Sequence, residues 1–489
     1  MRLSTVKKID SLEIVVLAAG KGTRMKSEVP KVLQPICGHP ILEIVLHSIE
    51  GGLQNLGREF QINKSTINLV VGHGRDQVKA MVAGLEQNKR ICSTVNFSVQ
   101  EQQLGTGHAV KVALSNSIIY PKAGSVDLLM VVSGDLPLLT PDSLAQFVRA
   151  HLAMRSSASL MSARLTNAGA YGRVLRRGGT FYGVVEAKDA TAKQLSIQEF
   201  NGGVYVFDRA VLQDALGKID SKNAAKEFYL PDVFTVAMKK RKKILAHCVD
   251  DPNIVEGVNT MVDLANTERE LYLRIARQHM LNGVRLSYPE TIRISPFVKL
   301  ADNVSIDAFS RVAGYTSVGA GSRIGSFCDL SQVEIGSCVD IRNSVVAQNS
   351  KIQDGAIVGP MANLRPATEI ASGAKIGNFV ELKKSVIGPR TNVSHLSYVG
   401  DAEIGSDSNV GCGFVTCNYD GNEKHRSIIG SRVFIGSDCQ VVAPIELADG
   451  TYVASGSTLT ESVEAKDSFV IARERQVTKP GYAKKYKRK

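Results

Sequence analysis

Apolar and polar positions along this chain follow two different periods, and the change comes a little past the middle. In the first half, short apolar runs (Ile14 to Ala19, Ile67 to Val71, Val95 to Val99, Leu128 to Val132) alternate with helical spacings such as Ile41, Leu42, Val45, Leu46 and Ile49. Unbroken runs of this length bounded by glycine or polar loops predict buried strands, and strands alternating with helices predict a mostly parallel sheet covered by helices. Residues Gly51 to Ser65 read as a surface insertion in that pattern. From Thr260 to Asn282 the sequence turns Glu/Arg-rich, with Leu264, Leu271, Ile275 and Met280 at roughly helical spacing. Thr267 and Glu270 form a candidate capping box there, Asn282-Gly283 is a stop signal, and a helical linker follows.

Beyond it, aliphatic residues recur every six positions: Ile306, Val312, Val318, Ile324, Leu330; then Ile352, Val358, Leu364, Ile370, Ile376, Leu382; then Ile429, Ile435, Val441, Leu447, Val453, Leu459. Glycine often follows the aliphatic, as at Gly325, Gly336, Gly377, Gly405 and Gly436. Neither a helix nor simple strand alternation gives six. A triangular β-helix does, with one short strand and corner per hexad, an aliphatic pointing inward and a small residue at the tight corner. The period does not fix the hand of the coil, and chain sterics alone would favour a right-handed crossover. The expected organisation is a sheet domain over residues 1–260, a helical linker over 261–283, and a repeat domain over 284–489 that ends in a basic tail.

Three loops of the first half carry candidate chemistry. Gly20-Lys21-Gly22-Thr23 breaks the first strand, and its glycines let backbone N–H groups approach phosphate oxygens while Lys21, Arg24, Lys26 and Lys31 offset their charge. It is neither a Walker loop nor the dinucleotide fingerprint, which needs a third glycine where Met25 stands. Gln100 to Ala109 is a polar, glycine-rich turn that opens a helix capped by Thr106 or a neighbour, suited to reading the edge of a base. Ser133-Gly134-Asp135 follows a buried run. A carboxylate there needs a partner to offset its desolvation, either a divalent cation or the helix that starts at Thr140-Pro141.

The chain is 489 residues long, which favours two domains over one core. Its formal charge of +12 does not point to nucleic acid: from Arg473 onward eight Lys/Arg stand against one acid, which puts +7 in the tail and leaves +5 for the body. Eight cysteines without a Cys-x-x-Cys pair fit small buried thiols in a reducing compartment rather than a metal site or a disulfide framework. The first apolar run is too short for a secretory segment, and no run reaches the length of a membrane span, so a soluble cytoplasmic protein is expected.

Leu17 to Met25, Leu-Ala-Ala-Gly-Lys-Gly-Thr-Arg-Met, followed by Pro30-Lys31, resembles the nucleotide loop of the sugar-phosphate nucleotidyltransferases. The order of the later islands Tyr171-Gly172-Arg173, Val185-Glu186, Asn201-Gly202-Gly203 and Gly257-Val258-Asn259 is similar to the uridylyltransferases that use N-acetylglucosamine 1-phosphate. The resemblance implies a Rossmann-like α/β domain whose uridylyl site includes Leu17, Ala18, Ala19, Gly20, Ser133 and Gly134, with Arg24 and Lys31 on the phosphates of UTP. It further implies Gln100, Gly105 and Thr106 at the uracil, Gly172, Glu186 and Asn201 at the sugar, and Asp135 and Asn259 on Mg²⁺. Ser133 and Gly202 depart from the family, where Tyr and Thr are usual.

The hexads resemble those of the hexapeptide-repeat acyltransferases, which implies a left-handed, trimeric β-helix. Arg365-Pro366, Asn378 to Lys384, Ser394 to Glu403 and Cys417 to Gly421 interrupt the repeat with polar side chains, and His395 beside Tyr398 and acids suggests a general base. These segments are similar to the acetyltransferase half of the bifunctional family that makes UDP-N-acetylglucosamine for cell-wall and lipopolysaccharide synthesis. The similarity implies Arg365 and Lys383 on the sugar phosphate, Tyr398 and Asn409 on the sugar, His395 as base, and Cys412, Asn418, Tyr419, Ser437, Ser455 and Arg473 on acetyl-CoA. Cys412 and Ser455 stand where alanine is common. Two other readings compete: a single-activity nucleotidyltransferase with a structural β-helix, and a non-catalytic scaffold.

Overall fold

The computed structural model describes residues 8–117 and 126–485. The chain divides into two compact units, Met1–Leu271 and Tyr272–Lys489.

In the first unit, the four apolar runs become β1 (Ser11–Ala18), β2 (Ser65–Val71), β3 (Val95–Val99) and β4 (Asp127–Ser133). They lie in the order β3-β2-β1-β4, all parallel, with Ile14 opposite Ile67 on one side and Met130 on the other. The nine-stranded sheet continues through β5 (Ala158–Arg164), β6 (Arg173–Arg177), β7 (Thr180–Val185), β8 (Glu199–Asp208) and β9 (Ile244–Cys248), with β8 antiparallel to β4. Helices α1 (Ile41–Gly57), α2 (Arg75–Gln87), α3 (Thr106–Ser115) and α4 (Pro141–Ala153) connect the parallel strands and cover them. The carboxyl ends of β1, β2 and β4 therefore open on one edge, where open α/β sheets bind ligands.

Two local expectations are corrected and a third is decided between its alternatives. Residues 51–65 are not a surface insertion. They complete α1, bury Gly52 and Leu56, and end in a short strand, Gln61–Ile62, paired with Lys8–Ile9. Gly51 and Gly52 let α1 lie against α4, since a side chain at Gly51 would meet Pro141 at 2.8 Å. Of the two alternatives for α3, the cap is the neighbour, Gly105, rather than Thr106. The Thr106 hydroxyl instead accepts from the Leu230 N–H at 3.0 Å. The long helix Met261–Leu281 is capped about two turns before the expected position, by Thr260 and Asp263, each accepting from the other's backbone N–H, whereas its stop at Gly283 (φ 89°) is as read.

The second unit is a parallel β-helix. Its strands are two to seven residues long, every named pairing between them is parallel, and most partners are 17 or 18 residues apart, three hexads to a coil. Every hexad aliphatic named above is at most 3% exposed. Each buried side chain of this size contributes about 1.5–3 kcal/mol, so the inward column supplies the fold's main stabilisation.

The glycines that follow aliphatics are the expected small residues. Positive φ in the coil is taken by other glycines, such as Gly321, Gly355 and Gly373, and by residues such as Asn303, Phe309, Phe327, Phe379 and Arg390. Gly388 and Gly405 instead permit coil-to-coil stacking, because a side chain at Gly388 would lie 2.5 Å from the Gly405 carbonyl carbon and one at Gly405 2.6 Å from that of Gly430. None of the eight cysteines is in a disulfide, but only Cys37, Cys328 and Cys439 are buried; Cys92, Cys248 and Cys338 are exposed.

Candidate active sites

In the first unit, backbone geometry brings the phosphate loop and the acidic loop together. Gly22 takes φ 61° where β1 ends, and the chain then closes short 3₁₀ turns at Thr23–Met25 and Lys31–Leu33. Gly134 donates its N–H to the Leu17 carbonyl at 2.9 Å, which pins the Ser133-Gly134-Asp135 turn beside β1. Ala18 and Ala19 are buried beneath it, and a side chain at Gly20 would meet nothing within 4 Å.

The partner that Asp135 needs is Lys31, whose ammonium donates to its carboxylate and, at 3.3 Å, to Asn259 Oδ1. Arg24 donates to the same Asn259 oxygen at 2.7 Å. A carboxylate oxygen and an amide oxygen thus converge on one cation. Hard oxygen donors suit Mg²⁺ or Mn²⁺ rather than zinc, and no group of three His, Cys, Asp or Glu side chains fit for a metal occurs among the described residues. Two protein oxygens with water and phosphate completing the shell is an arrangement Mg²⁺ commonly takes, so the residues fit a divalent cation.

Arg24, Asp135 and Asn259 line a cavity of about 510 Å³ with Thr106, Ser133, Gly172, Glu186 and Asn201. One of its walls is formed by the turn ahead of β6. Buried Arg173 donates to the carbonyls of Ala168, Gly169, Tyr171 and Leu195, folding that turn around its guanidinium. Gly172 then leaves room for Glu186, whose carboxylate a side chain would meet at 3.1 Å. Burial, then the charges of Asp232, Asp189 and Glu227, push Glu186 up to about 6. Asn201 donates to the Tyr205 hydroxyl at 2.7 Å. The departure at Gly202 has a steric reason: a side chain there would lie 2.6 Å from Val255 Cβ. Ser133 turns its hydroxyl to the Gly203 carbonyl, 3.3 Å away.

The expected base-reading residues divide between two cavities. Thr106 lines the large one, whereas Gln100 lines a second, of about 390 Å³, with Lys21, His73, Arg75, Glu101 and Gln103. The Gln100 amide is buried and donates to the Gly105 carbonyl at 3.2 Å. Gly105 takes φ 103° against the Phe228 backbone.

In the second unit, the register sorts the expected acetyl-site residues into columns. Asn378 lies opposite His395 in the next coil. Along the same corner, Gly413 N–H donates to Leu396 O, Asp438 N–H to Cys412 O, Gly456 N–H to Ser437 O, and Arg473 to Ser455 O. His395, Cys412, Ser437, Ser455 and Arg473 therefore stack one coil above another along a single edge. His395 is exposed.

Across the corner from His395 begins the face that carries Tyr398, Lys383 and Arg365. Glu381 lies opposite Tyr398, and Leu364 opposite Leu382. Arg365 pairs with Glu381 at 3.0 Å. The Lys424 ammonium beside it, with burial and Arg365, pulls Lys383 below its ordinary value, although Asp401 opposes. Arg365, Lys383 and Lys424 thus gather three cations beside the carboxylates of Glu381 and Asp401. The coil spacing jumps to 25 residues between Val410 and Ile435, and the extra residues form the hairpin that carries Asn418, Tyr419 and Lys424. Asp420 closes it by accepting from Asn422 N–H and Glu423 N–H at 2.8 Å and from His425, contacts that hold its carboxyl well below the usual range. Asn409 stands apart: it lies opposite Asn392 and Phe434, three residues, about 10 Å, along the strand from the His395 column.

Residues 14–165 match the MobA-like NTP transferase domain family. Over its whole length the chain is similar to proteins named bifunctional protein GlmU. It is 38% identical to that of Shouchella clausii over 96% of this chain and 98% of the relative. It is 38% identical to that of Pelobacter propionicus over 98% and 100%, and 39% identical to that of Staphylococcus haemolyticus over 96% and 99%. The chain belongs to the bifunctional GlmU family. A UDP-glucose pyrophosphorylase structure complexed with UDP-glucose aligns with 54% of this chain and 99% of its own at 14% identity and a TM-score of 0.42.

As a GlmU protein the chain is a bifunctional enzyme: an N-acetyltransferase for glucosamine 1-phosphate and a uridylyltransferase that turns the acetylated product and UTP into UDP-N-acetylglucosamine and pyrophosphate. The single-activity and scaffold readings are set aside, because the similarity runs through both halves. Sequence reasoning placed Tyr171 and Arg173 in a polar island without giving either a role, and it missed Lys424. The one available signal was the hairpin's break in the hexad count, which marked Asn418 and Tyr419 but not the lysine beyond them.

Proposed function

We propose that the two reactions run at the two constellations described, acetyl transfer first, in a polypeptide organised as residues 1–260, 261–283 and 284–489. The observation that carries the reading is the meeting of Asp135, Asn259, Arg24 and Lys31 in one unit and the single-edge column from His395 to Arg473 in the other.

For uridylyl transfer, Gly172, Glu186 and Asn201 hold N-acetylglucosamine 1-phosphate, and Gln100, Gly105 and Thr106 hold the base. Leu17 to Gly20, with Ser133 and Gly134, shape the floor beneath the phosphates. Asp135 and Asn259 hold Mg²⁺, which when bound would neutralise charge on the reacting phosphates. Arg24 and Lys31, poised on the same oxygens, stabilise the triphosphate and departing pyrophosphate. Alignment and charge stabilisation suffice, with no covalent enzyme intermediate.

For acetyl transfer, Arg365, Lys383 and Lys424 take the phosphate of glucosamine 1-phosphate, and Tyr398 and Asn409 take the sugar. Cys412, Asn418, Tyr419, Ser437, Ser455 and Arg473 line acetyl-CoA along the edge. His395 accepts a proton from the amine as its nitrogen bonds to the acetyl carbon and the carbon–sulfur bond breaks, releasing the CoA thiolate. A homotrimer built through the β-helix is supported by two features. Asn409 lies away from the His395 corner, and Phe309, Phe327, Met361, Phe379 and Leu396 stand exposed along one edge. A left-handed coil and a cytoplasmic setting, with its reduced thiols, UTP and acetyl-CoA, complete the proposal.

The test mixes purified protein with glucosamine 1-phosphate, acetyl-CoA, UTP and Mg²⁺ and follows products by mass spectrometry. N-acetylglucosamine 1-phosphate appears first, then UDP-N-acetylglucosamine. Nucleotide sugar formed only from pre-acetylated sugar would defeat the acetyl-site assignment.

Glu186 adds a pH dependence. Its folded value of about 6 lies above the ordinary 4.5, so the protein binds the proton more tightly than the unfolded chain does. The stability from that proton is complete below about 4.5 and lost as pH rises through about 6. The carboxylate that accepts from sugar hydroxyls exists only above it. KM for N-acetylglucosamine 1-phosphate is therefore expected to rise roughly tenfold as pH falls through about 6. In Glu186→Gln, KM is high throughout, and only the substrate phosphate's own titration remains.

A further inference from the structure

The sugar-side wall and the Asp135–Asn259 pair of the first unit are joined by one phenol. Tyr171, immediately before Gly172, accepts a hydrogen bond from Gly257 N–H at 2.9 Å and donates to Gly257 O at 3.3 Å. That carbonyl also accepts from Asn259 Nδ2 at 2.9 Å, which leaves Oδ1 of the same amide facing Arg24 and Lys31. Gly257 is wedged against Asp135, whose carboxylate a side chain there would meet at 3.1 Å, and Val258 N–H donates to the Asp135 carbonyl at 3.0 Å. On its other side, Tyr171 is fixed by packing on Phe200, ring centroids 4.7 Å apart, and by Arg173 holding its carbonyl. Burial, then the charges of Asp135, Glu256 and Asp263, push the phenol up to about 12, so it keeps the proton it donates.

We propose that Tyr171 is a positioning residue: it sets the Gly257 peptide, and through it the orientation of the Asn259 amide, so that the wall holding the sugar phosphate and the oxygens holding the divalent cation form one rigid unit. This rests on reading Asp135 and Asn259 as the cation's ligands. Two consequences follow. Loss of the hydroxyl frees the Gly257 peptide and lets the Asn259 oxygen turn away, which weakens cation binding without removing a ligand. Sugar and cation also bind cooperatively, since each orders a segment the other needs, and the coupling is reciprocal.

The test uses full-length Tyr171→Phe, which keeps the ring and its packing. Mn²⁺ is titrated in the presence of UDP-N-acetylglucosamine, with free ion read by electron paramagnetic resonance. The expected result is about five- to tenfold weaker Mn²⁺ binding. Uridylyl transfer should fall at low Mg²⁺ and recover at high Mg²⁺, with the unfolding midpoint and acetyl transfer unchanged. Asn259→Ala runs alongside. If it weakens Mn²⁺ binding and Tyr171→Phe does not, the tie is refuted and the ligand reading stands. If neither changes it, the ligand reading fails and takes the inference with it. A rate loss in Tyr171→Phe that excess Mg²⁺ does not restore, or a lowered unfolding midpoint, assigns the phenol a structural role only and also overturns the proposal.

Discussion

Replacing His395 with alanine is expected to lower acetyl transfer by about 10²–10⁴-fold while uridylyl transfer from pre-acetylated substrate stays at its original rate. An ammonium group cannot attack a thioester, so the reaction needs a base that removes the proton as the nitrogen–carbon bond forms. Among the side chains of the expected acetyl site, the imidazole is the one whose ordinary titration range lies near neutrality. Its place supports the role. It is exposed at a corner, one coil below Cys412 and across the turn from Tyr398, so both sugar and thioester can reach it. The substitution should leave the coil intact, because these bonds at the corner do not use the imidazole: Leu396 N–H to Asn378 O, and Ser397 Oγ to the His395 carbonyl. Acetyl-CoA affinity, measured by titration calorimetry, should change little. A variant that binds acetyl-CoA and still acetylates at the original rate would remove His395 from the mechanism.

How much of this was legible in the sequence depended on whether a pattern had rivals. The hexads had none, since no other regular structure repeats an inward aliphatic every six residues, and every one of those named is buried. The parallel strands were legible for a similar reason: runs such as Ile14 to Ala19 are apolar on both faces, which only a covered sheet satisfies. Helix caps did have rivals. Thr260-x-x-Asp263 and Thr267-x-x-Glu270 both fit the pattern, and the choice was made by the fold, which also uses Asp263 to hold Asn259 N–H at 3.1 Å. Glycines after aliphatics were legible as small residues but the reason for them was not, because the sequence shows a missing side chain without showing whether dihedral or neighbour requires it.

Partners distant along the chain were the least legible. That Asp135 sits at a strand end could be read, but that Lys31 meets it, 104 residues earlier, is a product of sheet order. Val255 filling the space beside Gly202, and Tyr171 reaching Gly257, are likewise contacts between segments that no local pattern connects.

The meeting of Lys31 and Asp135 also sets the second large expectation. Asp135→Ala should lower uridylyl transfer about 10³-fold, read as pyrophosphate released from UTP and N-acetylglucosamine 1-phosphate, with acetyl transfer unchanged. Two losses combine in that figure. The carboxylate is the one anionic oxygen of the pair that fits a divalent cation, and Asn259 alone offers a neutral amide. Without the carboxylate, Lys31 is released from its ion pair and its ammonium has only the Asn259 oxygen to hold it in place. Asp135→Asn separates the two effects, since it keeps an oxygen of the same shape and removes the charge. If charge on the cation is what matters, the asparagine variant should be nearly as slow as the alanine one. If holding Lys31 is what matters, it should recover part of the rate. The turn itself should survive both substitutions, because Val258 N–H and Gly134 N–H are held by backbone carbonyls. A parallel loss of both activities in a variant that unfolds at the original midpoint would contradict the assignment of the two reactions to separate side chains.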